Sequence, residues 1–206
     1  MNESVLMEEF IESEINMLTE LRMGNGLDRS EYEKCIQTFK DLSSWWKKED
    51  SIPEEAVLTI MEIYAELYLF AGNYKDDEKE AIIEAAEHFK KMREQFLSNE
   101  VMQEHDQDSL IRNLVKAIGE NNGFFVQLEQ GKGMNEEQFE KIFLELEHVT
   151  NEISTWERIP KSIVTLLISF YEMTLYVDKY KYDFNMPLEA DKIYDAYERV
   201  FAQIAG

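Results

Sequence analysis

The chain has 206 residues, of which 44% are hydrophobic and 12% aromatic, so it is long enough and apolar enough for one large or two small folded domains. It carries 43 acidic and 21 basic residues, giving a formal net charge of -22. Such a charge repels nucleic-acid phosphates and anionic lipid surfaces and raises encounter rates with basic proteins. Partners of the nucleic-acid and membrane classes are therefore disfavoured.

Cysteine content and the N-terminal sequence favour a reducing compartment. The single cysteine, Cys35, excludes an internal disulfide and a zinc site built from several cysteines. Residues 1–14 are acidic and lack the basic and apolar blocks of a secretory signal. The longest apolar run, 163–177, has about 15 residues, whereas a membrane span needs roughly 20. We therefore expect a cytoplasmic protein.

The first half of the chain predicts four long helices, because glycine and proline are scarce and apolar residues recur at intervals of three and four. The predicted bounds are about 4–21, 30–46, 53–70 and 78–97. In the first helix we expect Phe10, Ile15 and Leu18 to point inward. Gly24 and Gly26 follow this helix, and glycine readily adopts the left-handed conformation that ends a helix.

The third helix has a recognisable start and an unusual composition. Ser51-Ile52-Pro53-Glu54-Glu55 offers a serine cap, a proline in the first turn and glutamates near the positive end of the helix dipole. The residues that follow are apolar almost all round, and such a helix is buried on several sides.

The second half repeats this plan after a polar linker. Its predicted helices are about 109–130, 135–155, 160–179 and 188–205. Asn121-Asn122-Gly123 is a candidate kink or break in the first of them. Shifting the sequence by 107 residues aligns identical residues in both halves, among them Leu21/Leu128, Gly24/Gly131, Gly26/Gly133, Glu33/Glu140, Lys34/Lys141, Ile52/Ile159 and Pro53/Pro160.

We interpret this register as an internal duplication. The predicted fold is all-α: eight helices in two four-helix repeats, 1–99 and 109–206, joined by a linker at 100–108. Because each repeat has an apolar third helix, we expect these two helices to cover each other and to fuse the repeats into one pseudo-twofold domain. Two independent domains are the alternative.

Motifs of catalysis and cofactor binding are not evident in the sequence. The two glycine pairs each follow a helix, whereas a phosphate-binding loop lies between a strand and a helix. Glu145-Leu146-Glu147-His148 is a single Glu-x-x-His tetrad, and a two-metal bundle site requires two. We therefore expect no enzyme activity, no cofactor and no metal.

Positions at which the two halves differ are the better candidates for function. Trp45 aligns with Glu152, and Glu54 aligns with Lys161. Tryptophan is enriched among the residues that dominate binding energies. We therefore predict a partner-binding edge formed by Trp45 and the neighbouring acids, with Trp156 as a further candidate: Trp45, Glu49, Asp50, Glu54, Glu55 and Trp156.

Three function classes are compatible with these features. The first is a non-catalytic acidic helical protein that sequesters a basic protein partner, such as an immunity protein or antitoxin against a bacterial toxin. The alternative is an intracellular helical-repeat adaptor or regulatory module that binds a peptide or helix in a groove between units. An enzyme or a small-molecule binder is the third. Salt distinguishes the first two, since only charge-driven sequestration should weaken steeply as salt is added.

Overall fold

A computed structural model describes residues 2–97, 108–119, 123–153 and 156–205 and shows an all-α fold. The first half forms α1 (Glu3–Arg22), α2 (Arg29–Trp46), α3 (Glu54–Ala71) and α4 (Asp76–Leu97). The second half forms α5 (Asp108–Gly119), α6 (Phe124–Glu129), α7 (Glu136–Ile153), α8 (Lys161–Tyr171), α9 (Met173–Asp178), a π-helical turn (Lys179–Asp183) and α10 (Pro187–Ala205). Two short strands, β1 (Ser51–Pro53) and β2 (Arg158–Pro160), pair antiparallel.

The chain divides into two compact units. The first comprises Met1–Val101 together with Arg158–Lys161, and the second comprises Met102–Glu157 and Ser162–Gly206. In the first unit α1 packs on α2 and α3, and α3 packs on α4. In the second unit α7 packs on α5 and α10, and α10 packs on α9. Most of the predicted linker lies outside the described residues, and both the duplication and the fusion into one domain stay predictions.

The core of the first unit is built around Phe39 of α2. Its ring lies 5.7 Å from that of Phe10, 5.2 Å from that of Phe89 and 5.8 Å from that of Phe96, measured between centroids. Trp46 extends this cluster, with its ring 6.0 Å from Phe96. The third helix is buried on several sides, as its composition predicts, and fully buried residues occur all around it: Ala56, Ile60, Met61, Ile63, Ala65 and Leu67. No helix of the described segments is long and apolar enough to cross a membrane.

Three local predictions are corrected by the structure. Ser51 does not cap α3; it lies in β1, and its hydroxyl accepts a hydrogen bond from Arg158 Nε at 3.3 Å. On α1, Ile15 is 54% exposed and Glu14 is 4% exposed, so the inward position belongs to the acid. The predicted helix 160–179 is divided after Tyr171 into α8 and α9, and the π-helical turn continues it beyond its predicted end.

The glycine pairs end helices in both units, and a tyrosine bridges each loop. Gly24 and Gly26 have φ of +81° and +86°, in the left-handed region. The Tyr74 hydroxyl accepts from the Gly26 N–H at 3.2 Å and donates to the Leu21 carbonyl at 2.8 Å. A Glu78 oxygen accepts from the Leu27 N–H at 2.9 Å.

The second unit contains the same arrangement. The Tyr180 hydroxyl accepts from the Gly133 N–H at 2.9 Å and donates to the Leu128 carbonyl at 3.1 Å. A Glu189 oxygen accepts from the Met134 N–H at 3.0 Å. Equivalent bonds therefore hold the glycine loop of each unit, between α1 and α2 in the first and between α6 and α7 in the second.

Removing the Tyr180 hydroxyl should destabilise the protein. Tyr180→Phe leaves the Gly133 N–H and the Leu128 carbonyl without their partner in a fully buried position, at a cost of ~2–3 kcal/mol. Tyr74 is only half-buried, so Tyr74→Phe should cost less, ~1 kcal/mol. Urea unfolding measures both, with Tyr182→Phe, at a 68% exposed position, as the control expected to change nothing. Equal losses for Tyr180→Phe and Tyr182→Phe would contradict this account.

Candidate functional site

The predicted partner-binding residues of the first unit lie at the end of α2 and the start of α3. Trp45 is 53% exposed, whereas its neighbour Trp46 is 1% exposed and packs in the core. The exposed tryptophan is accompanied by four exposed acids: Glu49, Asp50, Glu54 and Glu55. We call these five residues the acidic edge. Lys47 and Lys48 are exposed in the same segment, so four acids and two bases leave it with a net charge of -2.

Lys161 stabilises the backbone of the acidic edge. Its side chain is buried, and its ammonium donates to the carbonyl oxygens of Trp46 at 3.1 Å and of Glu49 at 2.6 Å. Its backbone N–H donates to the Asp50 carbonyl at 3.0 Å. The last carbonyls of a helix lack partners within the helix and interact favourably with a cation. Lys161 therefore completes the C-terminal end of α2.

The strand pair holds the other side of this segment. Ile52 lies opposite Ile159 in the antiparallel register, and both side chains are buried. Arg158 donates from Nη2 to the Ser51 carbonyl at 2.9 Å, and its Nη1 lies 3.4 Å from a Glu3 carboxylate oxygen. Because its backbone is fixed by these bonds, the acidic edge would lose little conformational entropy on binding a partner.

Trp156, the remaining predicted binding residue, does not belong to the unit that contains the acidic edge. It belongs to the second unit and is half-buried, and its backbone N–H donates to the Ile153 carbonyl at 2.8 Å. Its role in partner binding stays a prediction.

A pair of carboxyl groups, the buried Glu14 of α1 and the half-buried Glu62 of α3, lies in the first unit. Glu14 is 4% exposed and shares a side-chain hydrogen bond with Glu62. Burial, followed by the Glu62 charge, raises the pKa of Glu14 to about 8. Burial and the charge of Glu66 raise the pKa of Glu62 as well. Arg22, whose guanidinium lies 3.1 Å from a Glu66 oxygen, opposes both shifts. At neutral pH the pair is therefore expected to retain a proton.

The cysteine and the histidines of the described residues belong to neither the carboxyl pair nor the acidic edge. Cys35 is fully buried, and burial raises the pKa of its thiol to about 12, so the thiol stays protonated at neutral pH. His148 is exposed on α7, whereas His105 lies outside the described residues. Among the described residues no group of three or more His, Cys, Asp or Glu side chains is placed to hold a metal.

A cleft of about 330 Å³ lies between α2 and α4 of the first unit. Its lining residues are Leu27, Arg29, Tyr32, Glu33, Ala81, Glu84, Ala85 and His88. The Tyr32 hydroxyl donates to the Ala85 carbonyl at 3.0 Å and lies 2.9 Å from His88 Nδ1. Burial raises the pKa of Tyr32, so the phenol stays protonated and forms a neutral floor for the cleft.

The second unit has a cleft of about 220 Å³ between α7 and α10. Its lining residues are Met134, Glu136, Phe139, Glu140, Lys192, Asp195, Ala196 and Arg199. Two ion pairs cross it. Arg199 binds Glu140 through two bonds of 2.6 and 2.9 Å, and Lys192 lies 2.8 Å from Glu136. These charges therefore satisfy one another within the chain.

Comparison with protein-family models, with curated proteins and with solved structures finds no match for this chain.

Proposed function

We propose that the protein is a non-catalytic, cytoplasmic binding protein that sequesters a basic protein partner through the acidic edge. An immunity protein or antitoxin directed against a cationic bacterial toxin is the concrete version. The observation that carries the proposal is the combination of a 53% exposed tryptophan with four exposed carboxylates on a backbone anchored by Lys161 and Arg158. An aromatic anchor and complementary charge supply, respectively, affinity and fast, selective association.

The charge of the whole chain supports the proposal of a basic partner. At -22 it would accelerate the approach of a basic protein over distances comparable with the Debye length. The segment itself contributes only -2, so steering would come mainly from the remaining surface, and the acidic edge would set the register of the complex. The two contributions are separable, because long-range steering acts on the association rate and close contacts act on the dissociation rate.

The test begins with capture of basic proteins on the immobilised chain at low and at high salt, followed by purification of the captured partner and measurement of its dissociation constant. The product of a neighbouring gene is the first protein to assay. We expect the affinity to fall at least tenfold between about 50 and 500 mM salt, since exposed charge interactions are screened. An affinity that is indifferent to salt would instead favour the groove-binding adaptor.

Trp45→Ala should weaken the same complex about 30-fold or more, chiefly through faster dissociation, as expected for an aromatic anchor worth ~2 kcal/mol. Leu144→Ala, at a 55% exposed apolar position of the second unit, is the matched control. The quadruple variant Glu49→Gln, Asp50→Asn, Glu54→Gln and Glu55→Gln should also weaken binding. A control with the same charge change at other exposed acids should affect it less: Glu8→Gln, Glu80→Gln, Glu94→Gln and Asp183→Asn. A partner bound equally well by Trp45→Ala and Leu144→Ala would place the binding surface elsewhere.

A further inference from the structure

Two of the helix clefts, the one beside Tyr32 in the first unit and the one beside Phe139 in the second, are lined by corresponding positions. In each unit the Gly26 or Gly133 N–H donates to the bridging tyrosine. The loop after this glycine and the helix that follows line one side of the cleft with the residues 1, 3, 6 and 7 places after the glycine. The N–H of the following residue donates to a glutamate, Glu78 in the first unit and Glu189 in the second. The helix that carries this glutamate lines the opposite side of the cleft with the residues 3, 6, 7 and 10 places after it. All eight lining positions agree, so the clefts can be compared side chain by side chain.

The second-unit cleft shows how these positions hold an arginine. The guanidinium of Arg199 binds both oxygens of Glu140, at 2.6 and 2.9 Å. Its central carbon lies 5.2 Å from the ring centroid of Phe139 and 4.4 Å from that of Phe143. The hydrogen bond from Arg199 lowers the pKa of Glu140. A two-bond carboxylate pair combined with contact to aromatic faces is the arrangement that favours arginine over lysine.

The first-unit cleft keeps the acceptor and one of the two aromatic rings but not the arginine. Ile36 stands in the place of Phe143. Glu33 stands in the place of Glu140, Tyr32 in the place of Phe139, and His88 in the place of Arg199. Glu33 and a second lining acid, Glu84, are exposed, and neither forms an ion pair with another described residue.

The remaining lining side chains leave the cleft with a modest negative charge. Arg29 replaces Glu136, and Ala81 replaces Lys192, so the second cross-cleft ion pair is also missing. Glu33, Glu84 and Arg29 have formal charges that sum to -1. The first-unit cleft is also larger, at about 330 Å³ against about 220 Å³.

We propose that the α2–α4 cleft of the first unit binds an arginine side chain presented by the basic partner, with its guanidinium paired to Glu33 and lying against the ring of Tyr32. This inference rests on the proposed function for the source of the arginine. It adds a second contact point on the first unit, distinct from the acidic edge, and it specifies arginine where the acidic edge specifies only positive charge. Glu84 supplies further negative charge at the rim of the cleft.

The test uses small probes and needs no partner. The full chain, labelled with ¹⁵N, is titrated with N-acetyl-arginine amide and followed by NMR. We expect saturable shifts of the Tyr32, Glu33 and Glu84 amides with a dissociation constant on the order of 1–10 mM, typical of one charged side chain at a partly exposed site. N-acetyl-lysine amide has the same charge and should bind several-fold more weakly. N-acetyl-citrulline amide, which is neutral, should cause no saturable shift.

Two variants and one control test whether the first-unit cleft binds arginine as the second-unit cleft binds Arg199. His88→Arg introduces the residue that fills the second-unit cleft, so it should abolish probe binding by occupying the site. His148→Arg changes the charge equally at an exposed position of α7 and should leave probe binding intact. Glu33→Gln should weaken binding about 3- to 10-fold. Undiminished shifts in His88→Arg, or equal binding of arginine and citrulline probes, would overturn the proposal.

The outcome is independent of the test of the proposed function. If the probe binds in the cleft but no basic partner requires Trp45, the cleft assignment stands and the sequestration proposal fails. If a basic partner requires Trp45 but the arginine probe gives no saturable shift at Tyr32 and Glu33, the cleft assignment alone is wrong.

Discussion

Glu14→Gln should stabilise the protein at pH 8.5 by about 2–3 kcal/mol and should change its stability little at pH 5. The amide retains the size of the carboxyl group and can still bond to Glu62. It removes the buried charge that the carboxyl acquires as pH rises. An acid-to-amide substitution that stabilises a protein is unusual, and it is expected here because Glu14 is 4% exposed beside another acid.

The direction follows from the two pKa values. In the native state the pKa of Glu14 is raised to about 8, from a usual value of 4.5. Between these values the folded chain binds a proton that the unfolded chain has released, so this group favours folding at low pH. That contribution is complete below about pH 4.5 and is lost as pH rises through 8. Coupling to Glu62 spreads the loss over a wider range.

Urea unfolding at pH 5, 6.5 and 8.5 measures the free energy of unfolding of the wild type and of Glu14→Gln. General repulsion in a highly charged chain affects both proteins alike, so the difference between their free energies reports on Glu14. Glu8→Gln, at an exposed position on the same helix, is the control and should show no pH-dependent difference. A Glu14→Gln difference that is the same at pH 5 and 8.5 would show that this carboxyl does not hold the proton.

Lys161→Met should destabilise the protein by ~3–4 kcal/mol. Methionine can fill much of the space of the lysine stem, but it removes the charged donor from the buried contact with the Trp46 carbonyl and from the part-buried contact with the Glu49 carbonyl. It also removes the cation from the negative end of α2. If a partner has been identified, the variant should bind it more weakly even at temperatures at which it is folded, because the acidic edge would be less ordered.

Glu54→Gln is the matched control for Lys161→Met. The two positions align at the shift of 107 residues, yet Glu54 is exposed and its neutralisation should change stability by less than ~0.5 kcal/mol. Thermal and urea unfolding give both values. A loss below ~1 kcal/mol for Lys161→Met would mean that water replaces the ammonium at these carbonyls.

The fold class could be predicted because its signals are local. The apolar intervals and the paired glycines act within a few residues of the chain. The cap of α2 is equally local, since the Asp28 side chain accepts from the N–H groups of Ser30 and Glu31. The exposure of Trp45 also follows locally, since it is rotated about 100° from the inward Trp46. The break between α8 and α9 has no such signal, because residues 161–178 contain neither glycine nor proline.

Buried polar residues are harder to predict from the sequence, but the spacing of Glu14 indicates its burial. Met7, Glu14 and Leu21 recur every seven residues, which places the acid on the same face as two buried apolar side chains. The prediction that Ile15 points inward rests on its hydrophobicity and ignores this spacing, and it is wrong. The contacts of Arg158 and Lys161 cannot be predicted from the sequence. Their partners are more than 100 residues away in the chain, and long-range contacts follow no sequence period.

The short strand pair also has a consequence for biosynthesis. Residues 158–161 complete the first unit, so when a ribosome has released only the first hundred residues, Ile52 lacks its strand partner and the end of α2 lacks its cation. At about 5–20 residues per second, the nascent chain would wait several seconds for that segment. The acidic edge would therefore mature only late in translation, and a fragment ending near residue 99 would resemble this nascent intermediate instead of a finished repeat.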